Sequence, residues 1–158
     1  MMRCLMVDDE LDSSQSVINR IANEFPILKN KIELISTERV FRDRLQSNDL
    51  NFDLAILDVM VHWAEQYENV ALPDPSLVKG GFFRAGIRCF VELRKREQFV
   101  KVPIIIHSAK DRDTVREELN LALEENGLPM EDVAIFEKTG DVDPLLKAIR
   151  GYLPMASK

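Results

Sequence analysis

A chain of 158 residues, 46% hydrophobic and 30% charged, is long enough to bury one core without disulfide or metal staples. Its formal net charge of −6 argues against nucleic acid as a partner, because non-specific binding along a phosphate backbone needs a clustered positive field. No apolar run approaches the roughly 20 residues that span a bilayer, and Met1-Met2-Arg3-Cys4 leads straight into a strand pattern, so a cytoplasmic protein with no membrane partner is expected.

Short apolar runs alternate with segments of helical period, the βαβ pattern of a parallel sheet covered on both faces. The first strand is expected over Arg3 to Val7. The helix after it should run from Ser13 to about Phe25, with Val17, Ile18, Ile21 and Phe25 on one face and Pro26 as its stop. Ile32 to Ser36 reads as the second strand, followed by a helix from about Glu38 to Gln46 with Val40, Phe41 and Leu45 inward. Asp53 to Val59 is the third strand, nearly all apolar as a central strand buried on both faces must be. The pattern then breaks: about 61 to 81 carries Pro73-Asp74-Pro75 and Gly80-Gly81 among acids and aromatics. A connection that far beyond the usual roughly 2 to 6 residues is either functional or mobile.

Helical period returns over Phe82 to Arg96. Pro103 to His107 is the fourth strand. Arg112 to about Glu125 is a charged helix that Gly127 caps in the left-handed conformation, with i,i+4 pairs on its solvated face over Arg112 to Glu118. Val133 to Phe136 is the fifth strand, and the last helix opens near Asp141 with Pro144 in its first turn and Leu145, Leu146 and Ile149 inward. Cys4 and Cys89 fall inside elements and read as reduced, buried thiols. Five strands and five helices account for residues 1–158, so a single domain is expected, with an expanded loop at about 61–81 after strand 3. The class is α/β: a doubly wound, flavodoxin-like parallel sheet of order 2-1-3-4-5 with helices on both faces.

Four of the apolar runs stop on residues with chemistry: Leu5-Met6-Val7 on Asp8-Asp9, Leu54 to Leu57 on Asp58, Ile104 to His107 on Ser108, and Val133 to Phe136 on Glu137-Lys138. In an open parallel sheet the ligand sits beyond the carboxyl ends of the strands, so these tips should converge. Asp8, Asp9 and Asp58 would then repel, by about 4 kcal/mol for two unit charges 4 Å apart at an effective dielectric near 20. A positive group must sit among them, and oxygen ligands with open positions suit Mg²⁺. Lys138 offers a movable point charge and Ser108 a hydroxyl for phosphoryl oxygens, which makes Asp58 a candidate carboxylate nucleophile.

Val7-Asp8-Asp9-Glu10, Phe52 to Met60, Pro103 to Ala109 and Phe136-Glu137-Lys138, in this order and at strand ends, resemble the receiver domain of bacterial response regulators. The resemblance covers nearly the whole chain apart from 61–81. It implies that Asp58 is the phosphoacceptor, fed by a histidine kinase or a phosphotransfer protein. It also implies that Asp9 binds Mg²⁺ directly and Asp8 through water, with the Met60 carbonyl completing the protein ligands. Ser108 would be the switch hydroxyl and Lys138 the lysine that pairs with the phosphate. Such a chain is a self-phosphorylating, self-dephosphorylating switch rather than a metabolic enzyme. Without an output domain, this one would act as a stand-alone receiver on an unidentified downstream protein, and a homodimer is also admitted.

Several positions depart from the pattern. Ile135 stands where many receivers carry an aromatic rotamer switch, Thr139 replaces the proline that usually follows the lysine, and His62 replaces a proline after the acceptor strand. These departures motivate an alternative, a receiver-fold interaction module that works without phosphorylation through the 61–81 loop. In that loop Trp63, Glu65, Tyr67 and Glu68 form either a lid or docking patch, or a self-packed Ω-loop. His62 reads as a loop histidine or a gate on phosphoryl access, and His107 as a hydrogen-bonded core histidine. A dehalogenase-type phosphatase is disfavoured because Met60 occupies the place of its second acid.

Overall fold

The computed structural model describes residues 1–154 and contains one five-stranded parallel sheet in the order β2-β1-β3-β4-β5. Its strands are β1 (Cys4–Val7), β2 (Ile32–Ile35), β3 (Leu54–Leu57), β4 (Ile104–Ser108) and β5 (Ala134–Glu137). The register pairs Cys4 with both Ile32 and Leu54, Ala55 with Ile104, and Ser108 with Glu137, so the strand tips lie side by side. The helices are α1 (Leu11–Glu24), α2 (Glu38–Gln46), α3 (Ala85–Arg94), α4 (Arg112–Glu125) and α5 (Asp143–Tyr152).

Alternation along the strands builds two cores. Leu5, Val7, Ala55, Leu57, Ile104 and Ile106 face Phe41 of α2, Phe90 of α3 and Leu119 of α4. Cys4, Met6, Leu54, Ile56 and Ile105 face Ile21 of α1 and Leu145 and Ile149 of α5. The period of two thus sends neighbouring residues to opposite layers, which is the doubly wound arrangement. Both cysteines are free and buried, and burial pushes the Cys4 thiol up to about 12 and raises that of Cys89 as well.

The element ends differ from expectation by local hydrogen bonding. Helix α1 starts at Leu11, two residues before Ser13, because Asp8 accepts the Glu10 amide and turns the chain early. The segment from 82 opens as a 3₁₀ turn over Gly81–Arg84 before α3, which ends at Arg94. Helix α5 begins at Asp143, after Thr139 and Asp141 close a polar turn. Gly127 has φ +65, and Leu128 and Gly127 donate to the Leu123 and Glu124 carbonyls, the paired bonds of a Schellman cap. The expected i,i+4 pairs over Arg112 to Glu118 are replaced by longer-range ones. Arg116 donates to the Val133 carbonyl at 2.6 Å, and Glu118 accepts from Lys110. No helix among the described residues is long and apolar enough to cross a membrane.

Candidate functional site

The carboxyl ends of β1 and β3 place their acids by backbone bonding. The Asp58 amide donates to the Val7 carbonyl at 2.8 Å and the Asp8 amide to the Ile35 carbonyl at 3.0 Å, so the ladder runs on through both acids. Asp8 and Asp58 are 5% and 3% exposed, and with half-buried Asp9 they bring one oxygen each to within 4.8 Å of the others. From the tip of β5, Lys138 Nζ bridges Asp8 Oδ2 at 2.7 Å and Asp58 Oδ2 at 2.8 Å, with Glu10 Oε2 at 3.9 Å. Burial would lower the Lys138 pKa, but the Asp58 and Asp8 carboxylates outweigh it and hold the ammonium above the ordinary lysine value.

The second oxygens of the acids are also engaged. Asp8 Oδ1 accepts the Glu10 amide at 2.9 Å, and Asp58 Oδ1 accepts the Met60 amide at 3.3 Å. Asp9 Oδ2 accepts the His62 amide at 3.1 Å and lies against the His62 ring Nδ1. Ser108 is fully buried at the tip of β4. Its carbonyl accepts the Lys138 amide at 2.7 Å and its hydroxyl accepts the Lys110 amide at 3.2 Å. No side-chain hydrogen bond joins Ser108 to Asp58 or Lys138 among the described residues.

No protein-family model and no curated protein matches the sequence. Solved structures do match. The signal receiver domain of a DNA binding response regulator from Colwellia psychrerythraea 34H aligns with a TM-score of 0.62 at 15% identity, over 96% of this chain and 97% of that one. A two-component response regulator from Legionella pneumophila gives 0.60 at 18% identity, over 96% and 98%. The chemotaxis response regulator CheY4 of Vibrio cholerae gives 0.58 at 17% identity, over 97% and 99%. The chain has the receiver-domain fold.

On this receiver fold, Asp8, Asp9, Asp58 and Lys138 lie together, and Met60, expected there through its carbonyl, donates its amide to Asp58. Three carboxylates against one ammonium leave two negative charges, and hard oxygen donors with that deficit fit a divalent cation such as Mg²⁺. Ile135 is buried opposite Ile106 in the α3–α4 core, so that position holds packing instead of a ring. His107 is buried, but its ring makes no hydrogen bond among the described residues. It lines a groove of about 450 Å³ with Asp111, Glu137 and Asp141.

Two residues of the site neighbourhood were not singled out in sequence. Gly86, in the first turn of α3, donates its amide to the Val59 carbonyl at 2.8 Å and lies flat against the backbone of Asp58. Glu38, 1% exposed at the start of α2, receives two bonds from Arg88 of α3, at 2.9 and 2.6 Å, and one from Arg42 at 3.1 Å. The signal for Gly86 was its place inside a helical pattern, where glycine costs about 1 kcal/mol against alanine and needs a packing reason. For Glu38 the sequence offers only the i,i+4 spacing to Arg42, since its other partner, Arg88, lies 50 residues away.

Segment 61–81 is neither free nor wholly self-packed. The His62 and Trp63 carbonyls accept the Glu38 and Arg39 amides at 2.9 and 3.0 Å, Glu65 accepts from Ser36 at 2.7 Å, and Glu68 pairs with Arg39. Tyr67 and Leu72 point to solvent.

Proposed function

We propose that this chain is a receiver of a two-component or phosphorelay pathway. Asp58 takes a phosphoryl group from a histidine kinase or phosphotransfer protein, and the change alters binding to a separate protein. The reading is carried by the junction of three carboxylates, with ligand atoms within 4.8 Å, under the ammonium of Lys138. A purely structural domain has no reason to gather mutually repelling acids at the tips of two central strands. The two free thiols suit the reducing cytoplasm as its setting.

In the proposed transfer an Asp58 oxygen forms a bond to phosphorus as the phosphorus–nitrogen bond of the donor breaks, and the departing imidazole takes a proton. The Met60 amide donates to one Asp58 oxygen and Lys138 to the other, so both are oriented before the transfer. Lys138 shifts its charge from the carboxylates to the incoming phosphoryl oxygens, and the Ser108 hydroxyl donates to another of them. Asp8, Asp9, Asp58 and the Met60 carbonyl would hold Mg²⁺, which when bound offsets the charge that builds on those oxygens. Water later returns Asp58 to the free acid, so the chain is a switch rather than a metabolic enzyme.

The test is incubation with Mg²⁺ and acetyl phosphate, followed by intact-mass measurement. A gain of about 80 Da, one phosphoryl group, is expected in the native chain and not in Asp58→Asn. No adduct, or an adduct that Asp58→Asn retains, overturns the reading.

A further inference from the structure

Each acid of the cluster accepts a different backbone amide, and Asp8 and Asp58 share Lys138. Asp8 has the Glu10 amide and Lys138, and Asp58 has the Met60 amide and Lys138. Asp9 has His62, which reaches it from the insertion 53 residues along the chain. Two donors of one residue converge on a single oxygen, Asp9 Oδ2: the backbone amide at 3.1 Å and the ring Nδ1. The ring contact is a hydrogen bond in the tautomer that carries its hydrogen on Nδ1, the one that suits a carboxylate oxygen.

The histidine is itself held from two sides. Its ring lies on Phe82 with centroids 4.5 Å apart and planes tilted by 35°. Its carbonyl takes the Glu38 amide at 2.9 Å, so the residue also closes the N-terminus of α2, where the first amides lack partners within the helix. Glu38 is locked in turn by Arg42 and Arg88. The chain from Phe82 and α2 through His62 to Asp9 is therefore continuous packing and hydrogen bonding, although the His62 side chain itself is 56% exposed. Hydrogen bonds that orient a ligating carboxylate typically change metal affinity about 10- to 100-fold when removed.

We infer that His62 is a positioning residue for Asp9, so that the 61–81 insertion sets the cation affinity of the site. This rests on the reading of the acid cluster as a cation-binding phosphoacceptor. It gives the insertion a role within the site itself, and makes occupancy of the cation pocket and order at the start of α2 two ends of one linkage.

The experiment is Mg²⁺ titration of the full chain, followed by emission of Trp63, the single tryptophan and the neighbour of His62, and by the Mg²⁺ dependence of thermal melting. His62→Ala is expected to raise the Mg²⁺ Kd at least about tenfold. His62→Asn, which keeps a side-chain N–H donor near the place of Nδ1, should recover most of that loss. In the native chain, Mg²⁺ should also slow hydrogen exchange at the Glu38 and Arg39 amides, and in His62→Ala it should not. A His62→Ala Kd within twofold of native overturns the inference, as does a His62→Asn variant that folds yet binds no better than His62→Ala. A native chain that binds no Mg²⁺ removes the cation-site reading itself, a result distinct from either.

Discussion

A Cβ added to Gly86 would lie 1.8 Å from the Asp58 carbonyl oxygen and 2.7 Å from the Val59 Cα, both backbone atoms that cannot swing aside. The close approach lets the Gly86 amide reach the Val59 carbonyl and presses α3 onto the end of β3. Gly86→Ala should therefore cost about 3 kcal/mol or more, at the upper end of overpacking penalties, as measured by urea unfolding; a loss below about 1 kcal/mol would refute the account. His107 acts through charge instead of volume. Burial, and then the Lys138 ammonium, lower its pKa from the ordinary 6.5, against a smaller opposing effect of Asp8 and Asp58. As pH falls through 6.5, the unfolded chain gains a proton that the folded imidazole refuses, so stability falls until the folded ring titrates as well. His107→Gln should remove that component. The native-minus-variant stability difference should be flat above neutrality and decline below pH 6.5, by at most about 1.4 kcal/mol per pH unit.

At the scale of elements, the long connection after β3 is tied into the fold at both ends. Its first residues close the N-terminus of α2 with two carbonyls, and near its far end the Leu77 and Lys79 carbonyls accept from Arg42 and Arg88. Both arginines converge on Glu38, so one buried carboxylate holds α2, α3 and the insertion together. Removing the charge with Glu38→Gln leaves two guanidinium groups only 12% and 13% exposed without their counter-ion. The expected loss is about 3 to 5 kcal/mol, with earlier proteolysis within 61–81. An apolar double variant, Glu38→Leu with Arg88→Met, should recover part of it, and a double-mutant cycle measures the coupling. Of this arrangement only the Glu38–Arg42 pair, at i,i+4 spacing, is open to a reading of the sequence. The helix itself was legible, because Val40, Phe41 and Leu45 recur at helical spacing after Thr37, whose hydroxyl caps the Val40 amide, but the His62 and Trp63 carbonyls that accept its first two amides leave no local signature. The opposite holds for Gly127, where a residue that tolerates positive φ announced the stop of α4 directly.

For the whole molecule, the legible part was whatever the sheet's period and handedness dictate. Strand runs that end on Asp8, Asp58, Ser108 and Lys138 must bring those residues to one edge once crossovers are right-handed, and the order β2-β1-β3-β4-β5 does so. What the runs do not specify is which group meets which: the bridging of Asp8 to Asp58 by Lys138, and the attachment of Asp9 to His62, depend on side-chain reach across elements. The consequence is a fold under electrostatic load. One ammonium among three carboxylates leaves the edge of the sheet doubly negative, within a chain already at −6. A divalent cation that binds the folded state alone relieves that load, and mass action fixes the size of the effect. At about 100 times its Kd the gain is about 2.7 kcal/mol, or roughly 5 to 10 °C in Tm for a domain of this size. Melting in Mg²⁺ against melting in a chelator measures it. Asp9→Asn should keep the fold and lose most of the difference, because its buried neighbours stay paired with Lys138 while one ligand charge is gone. Equal melting temperatures for the native chain in the two conditions would mean that the two excess charges are tolerated without a cation, and the acids would then need another explanation.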